Sequence, residues 1–343
     1  MDAMPRVSII ILNWNGWKDT IECLESVYQI TYPNYDVIVV DNGSENESVE
    51  KIKEYAEGKL PVKSLFFEYS MKNKPLRVIE RLYGEVELKE IKEDMECDLP
   101  SNRKMILIKN DKNYGFAGGN NIAIEYTLKA LSPEYILLLN NDTIVDGAFL
   151  EELVNVAELD KKIGFVGPKI YYYDYGGKKN IVNFAGGTIN LWTGRSSKRM
   201  FNQIDTGDIG ALSDVDYVEG SCILARTNVV NTIGHLNPFF FTYWEDTDWC
   251  MRAKNAGYRI VYVPTAKIWH KVSASNQGVT KEYYISRNRL KFVREYSTRI
   301  QLISFFAYFF GLEFWLYCGK LLCIKRNMGA CISFIRGIVD GCR

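Results

Sequence analysis

Residues 7–12, VSIIIL, restrict the fold more than any other stretch of this chain. A run of β-branched and aliphatic residues without polar alternation fits a strand buried on both faces, as in a parallel sheet. Three more runs have the same character: 36–40 (DVIVV), 105–109 (MILIK) and 135–139 (YILLL). Helical patterns at 19–28, 48–56, 122–131 and 148–159 separate and follow them. Strands alternating with helices give right-handed crossovers and an α/β fold with a mostly parallel sheet. After about residue 160 polar and apolar residues begin to alternate. Antiparallel strands are therefore predicted in VNFAGGTINLW and DVDYVEGSCILART, a strand pair in GFVGPKIYYY, and two strands in YRIVYVP and AKIWHKVSAS. Residues 59–104 are densely charged and irregular and read as a surface insertion carrying a helix or hairpin.

The ends of the four buried runs carry the chemistry. They read NWNG, DNGS, KNDKNYGFAGG and NNDT. In an open parallel sheet ligands bind beyond the carboxyl ends of the strands, so these residues converge. Each alone could be an ordinary turn former. Asp41 can accept a hydrogen bond from a base or ribose. The turn 114–119 allows close backbone approach and offers N–H groups ahead of a helix. It is neither a dinucleotide fingerprint nor a Walker loop. Asp142, after a buried strand, is costly to place without a partner, and a hard divalent cation completed by phosphate oxygens would supply one. The alternative is that Asp142 caps the next helix, although Asp146 and Gly147 sit closer to that helix and could cap it instead. In FFFTYWEDTDWCMRA, Glu245, Asp246 and Asp248 sit among aromatic residues, either capping a helix at 247–256 or held for general-base work. His270, near Ser273 and Ser275, is one of only two histidines, so a site of several histidines is excluded.

Seven landmarks in order, VSIIILNWNG, VIVVDNGS, NYGFAGGNN, ILLLNNDT, VEGSCILART, FFFTYWEDTDWCMRA and IWHKVSAS, resemble the inverting glycosyltransferases of family 2, which have the GT-A fold. The likeness is to rhamnosyltransferase-like members and runs from about residue 7 to 296. It implies a GT-A domain over 1–295 and a metal-dependent transfer of sugar from a pyrimidine nucleoside diphosphate (dTDP-rhamnose or a UDP-sugar). The acceptor would be a saccharide or lipid-linked hydroxyl. By this resemblance Asn13, Asp41 and Asn42 border the nucleotide, and Gly115, Gly119 and Asn121 shape its pocket. Asn140, Asn141 and Asp142 stand at the family's Asp-x-Asp motif, with Asn replacing the first Asp. Asp142 and His270 would bind Mn2+ or Mg2+, Asp246 would be the base, and Glu245 would support the acceptor or the base. A sugar nucleotidyltransferase and a non-catalytic nucleotide-sugar binder on the same fold are the alternatives. The first of these wants a Gly-rich basic loop after the first strand, which NWNGW does not supply.

The 42 basic and 42 acidic residues cancel, so no global field recruits nucleic acid. Eight cysteines without a C-x-x-C pair in a chain 47% hydrophobic point to reduced thiols in the cytoplasm. Residues 296–343 stand apart. The stretch IQLISFFAYFFGLEFWLYCGKLLCIK is apolar and aromatic, with Glu313 inside it and basic residues on both flanks. A spanning helix would place one basic cluster outside and Glu313 in lipid, both unfavourable. A segment lying in the cytoplasmic interface of the cell membrane avoids both costs, and a homo-oligomer contact is the remaining use for such a surface.

Overall fold

The computed structural model describes residues 4–87, 99–207, 211–272 and 279–343. Ser273, Ser275 and the middle of the expected insertion lie outside the described residues. The chain runs β1 (Val7–Asn13), α1 (Trp17–Val27), β2 (Tyr35–Asp41), α2 (Ser48–Ala56), β3 (Arg77–Leu82), α3 (Tyr83–Glu87) and β4 (Lys104–Lys109). It continues through α4 (Gly115–Ala130), β5 (Tyr135–Asn140), β6 (Thr143–Val145), α5 (Phe149–Glu158) and β7 (Ile163–Tyr172). Four short strands come next: β8 (Val182–Phe184), β9 (Gly187–Asn190), β10 (Arg195–Lys198) and β11 (Ser213–Asp214). Then come β12 (Cys222–Arg226), α6 (Thr227–Ile233), α7 (Glu245–Asn255), β13 (Arg259–His270) and α8 (Val279–Tyr296). The last helices are α9 (Arg299–Tyr308), α10 (Phe314–Gly319) and α11 (Met328–Cys342). Two π-helical turns join α9, α10 and the residues to Ile324 into one rod.

The central sheet has the order β11-β13-β7-β12-β5-β1-β2-β4-β3. Strands β3, β4, β2, β1 and β5 are mutually parallel, whereas β12 runs antiparallel between β5 and β7. This is the mixed α/β sheet expected from the sequence. β1 pairs with β2 on one side and β5 on the other, so the chain reverses its direction of winding there. Register sets Asn13 beside Asp41 and Leu12 beside Asn140, which brings three strand ends to one edge. Ile9, Ile10, Val39, Leu107 and Leu137 are fully buried, consistent with helices on both faces.

Four local expectations need correction. The segment 59–104 is not a surface insertion throughout, because β3 extends the central sheet beside β4. Nearby, Lys74 is buried against Glu25 (3.1 Å) and Tyr55 (3.0 Å). The glycine-rich segment belongs to the first turns of α4 rather than preceding the helix. The region 163–172 is one strand, β7, not a pair. Finally, 259–270 is one strand whose register against β7 shifts between Val263 and Lys267. Pro264 lies in that gap and cannot donate to the ladder.

A second apolar cluster lies beside the sheet. Leu290, Phe292 and Val293 of α8 meet Phe305, Leu321 and Phe334 of the last helices. Helix α8 contributes to this cluster, so the expected boundary at 295/296 falls at the end of a helix that already packs against α9 and α11.

Candidate active site

At the nucleotide side, Asn13 donates to Asp41 Oδ1 (2.7 Å), and Ser44 Oγ donates to the same oxygen (2.6 Å). Ser44 N–H donates to Asp41 Oδ2 (3.1 Å). Asp41 is thus a buried carboxylate fixed at the end of β2. Asn42 is saturated: it donates to Asn113 and Gly115 and accepts from Asn110 and Tyr114. It ties the strand end to the loop before α4. Gly115 has φ +73°, and a Cβ there would fall 2.4 Å from the Phe241 ring. At Gly119 a Cβ would meet Leu12 at 2.6 Å. Phe241 and Leu12 therefore fill the space beside these glycines. Asn121 exchanges two hydrogen bonds with the backbone of Leu236 (2.7 and 3.0 Å). The structure does not bring it to the strand-end cluster.

Asp142 and His270 are brought together. β6 pairs with the end of β13, setting Thr143 opposite His270. His270 Nε2 lies 3.0 Å from Asp142 Oδ1, and Lys271 N–H donates to the Asp142 carbonyl (2.9 Å). Burial disfavours the imidazolium, but the adjacent Asp142 charge outweighs it and raises the His270 pKa. Asp146 accepts from Ala148 N–H, so the next helix is served without Asp142. Asn141 donates to Thr20 Oγ1 (3.0 Å).

Asp246 comes from α7, which packs against β7 and β13. It lies in the first turn of α7, where the helix dipole favours an anion. The helix starts at Glu245, two residues earlier than its periodicity suggested. Gly220 N–H donates to Asp246 Oδ2 (2.8 Å), and Thr247 N–H donates to Oδ1 (2.6 Å). Ser221, next to Gly220, accepts from Asn140 N–H (3.0 Å). One short segment thereby links the end of β5 to Asp246. Burial raises the Asp246 pKa; Gly220 opposes the rise and Glu219 adds to it. Glu245 is pushed further above its ordinary range, first by burial and then by the Asp246 charge. Asp248 has another role: it accepts from Tyr296 (2.6 Å) and pairs with Arg252 (2.9 Å), holding α7 to α8.

Four buried side-chain atoms here make no hydrogen bond to protein: Asn140 Oδ1, Ser221 Oγ, Glu245 Oε2 and His270 Nδ1. Buried polar groups are normally satisfied, so each of these atoms is open to a ligand. A cleft of about 650 Å³ lies at the amino ends of β1, β2 and β4, among Arg6, Tyr32, Asp36 and Lys104. Its charges already pair with one another, Arg6–Asp36 at 2.6 Å and Lys104–Asp36 at 2.9 Å.

Residues 84–289 match the family model described as "Glycosyltransferase like family 2", and residues 8–72 match "Glycosyl transferase family 2". The chain belongs to the family 2-like glycosyltransferases. Among curated relatives, the low-salt glycan biosynthesis hexosyltransferase Agl10 of Haloferax volcanii is 28% identical over 158 residues, 45% of this chain and 47% of that one. Rhamnosyltransferase WbbL of Escherichia coli is 26% identical over 200 residues, 56% of this chain and 73% of that one. The match to this glycosyltransferase thus spans about half the length of Agl10. Its fold is shared with the mannosyltransferase PcManGT of Pyrobaculum calidifontis, solved with GDP-Man and Mn2+. The TM-score is 0.56 over 99% of this chain and 87% of that one, at 12% identity. S. aureus TarS 1–349 gives 0.53 over 98% and 80%, at 14% identity.

Sequence reasoning missed three parts of this glycosyltransferase's site. Glu219 and the Gly220 N–H stand beside the proposed base, and Lys198 pairs with Glu219 (3.2 Å). The third is Asn288 of α8. It donates to the carbonyls of Phe240 (2.8 Å), Thr242 (2.8 Å) and Tyr243 (2.7 Å) in the loop leading to Asp246. In that loop Phe241, Tyr243 and Trp244 all have positive φ. No spacing motif announces such a clamp.

Proposed function

We propose that this chain is an inverting hexosyltransferase that uses a pyrimidine nucleoside-diphosphate sugar, with dTDP-rhamnose or a UDP-sugar as donor. The acceptor is a hydroxyl of a saccharide or lipid-linked saccharide in cell-surface glycan synthesis. The observation that supports this reading is that one segment, Gly220–Ser221, bonds both to Asp246 and to Asn140, two residues before the Asp142 that pairs with His270. The names of Agl10 and WbbL support a hexosyl or rhamnosyl donor.

Asp142 and His270 fit a divalent cation. Adjacent ligands of an octahedral ion with bonds of about 2.1 Å stand about 3.0 Å apart, and the two atoms are separated by 3.0 Å. Among the described residues no cluster of three metal-ligating side chains exists. A Mg2+ or Mn2+ ion there would be held by these two protein groups and completed by donor phosphate and water. When bound, the ion would offset the charge that grows on the departing diphosphate. Asp246 accepts the proton of the acceptor hydroxyl. The hydroxyl oxygen then bonds to the anomeric carbon, and the electron pair of the broken C–O bond leaves with the nucleoside diphosphate. One displacement inverts that centre, and one base suffices. Gly220 and Thr247 N–H groups aim the carboxylate, and Glu245, whose pKa burial pushes well above the usual carboxylate range, stands next to it in the chain.

The same reading places the protein on the cytoplasmic face of the cell membrane. Glu313 does not face outward: it forms a two-pronged pair with Arg289 (2.9 and 2.8 Å). Ile300, Ile303, Trp315, Leu316 and Ile324 are exposed instead. Among the described residues the rod Arg299–Ile324 is the one helix long and apolar enough to cross a bilayer, but one of its sides is occupied by the catalytic domain. Lying in the interface uses the exposed side and leaves Arg299, Lys320 and Arg326 to meet anionic headgroups.

The deciding experiment follows nucleoside diphosphate release from dTDP-, UDP- and GDP-sugars with Mn2+ or Mg2+ and no acceptor. Slow, metal-dependent release supports the transferase. Pyrophosphate exchange would support a nucleotidyltransferase instead, and neither reaction would leave a binder.

A further inference from the structure

Strand β10 has an unusual composition for its place. Its four residues, Arg195, Ser196, Ser197 and Lys198, are all polar and all exposed, and its one partner is β9. Side chains alternate along a strand, so Ser196 and Lys198 share a face. Both point toward the active site. Ser196 bonds to the hydroxyl of Tyr217, and Lys198 Nζ lies 3.2 Å from Glu219 and 3.1 Å from Asn183 Oδ1. Glu219 immediately precedes Gly220, whose N–H holds Asp246.

The opposite end of the strand touches the apolar rod. Arg289 donates to the carbonyls of Thr193 and Gly194 (2.7 Å each) while it grips Glu313. Arg195 lies 3.5 Å from Glu313 and over the ring of Tyr308. Just beyond Lys198 stands an aromatic ledge. Phe201 is 48% exposed. Its ring centroid is 6.5 Å from that of Tyr172, whose hydroxyl donates to Asn202 Oδ1 (2.8 Å). Tyr172 is the register partner of His270. Lys198 therefore stands between the exposed ring, 5.8 Å from its centroid, and Glu219, which precedes the Gly220 that bonds the proposed base.

We infer that β10, with Lys198, Glu219, Phe201 and Tyr172 at its inner end, is the acceptor subsite, a track for a saccharide whose lipid carrier is held at the apolar rod. This rests on the transferase reading above and names the acceptor side of that same site. The chemistry matches a sugar chain. Hydroxyls need closely spaced donors and acceptors, which Ser196, Lys198, Glu219 and Asn202 provide. The apolar C–H face of a pyranose packs on an exposed aromatic ring. The length fits as well: three residue steps at about 3.3 Å cover about 10 Å, roughly two linked pyranoses. A saccharide carried by a lipid at the Arg195 end would thus present a hydroxyl near Asp246 at the Lys198 end.

Saturation-transfer NMR on the full chain tests this, with octyl β-glucoside and octyl N-acetyl-β-glucosaminide as probes and UDP and dTDP as nucleotide controls. The expected result is transfer to the sugar ring protons in the wild type. Phe201→Ala and Lys198→Ala should each weaken it at least fivefold, and Phe201→Ala should change nucleotide affinity less than twofold. Unchanged thermal midpoints would show that both variants remain folded. Transfer confined to the octyl chain, no probe binding, or ring transfer unaltered in both variants would overturn the subsite. A wild type that binds neither nucleotide would overturn the transferase reading and the subsite with it. Intact nucleotide binding with unaltered probe binding would overturn the subsite alone.

Discussion

Asn288 Nδ2 donates to the carbonyl oxygen of Tyr243 at 2.7 Å, and the same amide reaches Phe240 and Thr242 at 2.8 Å. The loop it holds contains three non-glycine positions at positive φ, Phe241, Tyr243 and Trp244, a conformation that persists only when its surroundings enforce it. Phe116 and Ala117 N–H groups secure the same loop from the other side through the Phe241 carbonyl (2.7 and 3.2 Å). Asp246 therefore takes its place from α4 and α8 together.

Asn288→Ala should loosen this loop. The loss of bonds to buried carbonyls is expected to cost about 2–3 kcal/mol. Donor turnover should fall at least tenfold, because the base is no longer aimed. Urea unfolding and nucleoside diphosphate release measure the two effects. A variant as stable and as active as the wild type would remove Asn288 from the account.

Asp246→Asn keeps shape but cannot take a proton. Loss of a general base costs about 10²–10⁴-fold in rate. Transfer should drop by that order while affinity for UDP or dTDP stays within twofold. Full activity in this variant would assign the base elsewhere.

The burial of Glu245 makes a statement about pH. Its folded pKa lies well above the ordinary 4.5, so between those values the folded state binds more protons than the unfolded one. Stability contributed by this group therefore falls as pH rises through that window. Glu245→Gln should raise the thermal midpoint at pH 7.5, and its advantage should shrink toward pH 4. An advantage of the same size at both pH values would argue against a buried, proton-holding Glu245.

Much of this arrangement was legible in the sequence, for a physical reason. Strands such as VSIIIL and YILLL are buried on both faces, and burial erases polar residues that would blur the pattern. β3 was illegible because RVIERL is an edge strand with charged residues. Its exposed side is free to carry Arg and Glu. The glycines of α4 suggested a loop, yet Gly115 and Gly119 let Phe241 and Leu12 approach a helix. Asp142 and His270 stood at strand ends, so topology alone brought them near. Asn288 sits in the polar run SRNRL, and its importance comes from a loop 45 residues away.

Metal dependence should appear only with nucleotide present, because Asp142 and His270 are too few to hold an ion strongly by themselves. Mn2+ added to UDP should raise the thermal midpoint further than UDP alone, by mass action. Asp142→Ala and His270→Ala should each abolish that increment and keep most of the UDP effect. An increment preserved in both variants would place the ion elsewhere.

Membrane attachment is better tested by charge than by truncation. Phe305, Leu321 and Phe334 complete the apolar cluster under α8, so removing residues after 296 would expose Phe292 and Leu290 and disturb the loop that Asn288 clamps. Ile303 and Trp315 are 71% and 66% exposed, so replacing them leaves that cluster intact. Burying such side chains in lipid is worth about 1.5–3 kcal/mol each. The double variant Ile303→Glu/Trp315→Glu should therefore lose at least tenfold in binding to vesicles of phosphatidylglycerol and phosphatidylethanolamine. Donor hydrolysis in solution should stay within twofold. Sedimentation with vesicles measures the first and nucleoside diphosphate release the second. Equal binding by the double variant and the wild type would mean that the rod meets another surface, and a concentration-dependent change in sedimentation without vesicles would identify that surface as a second copy of the chain.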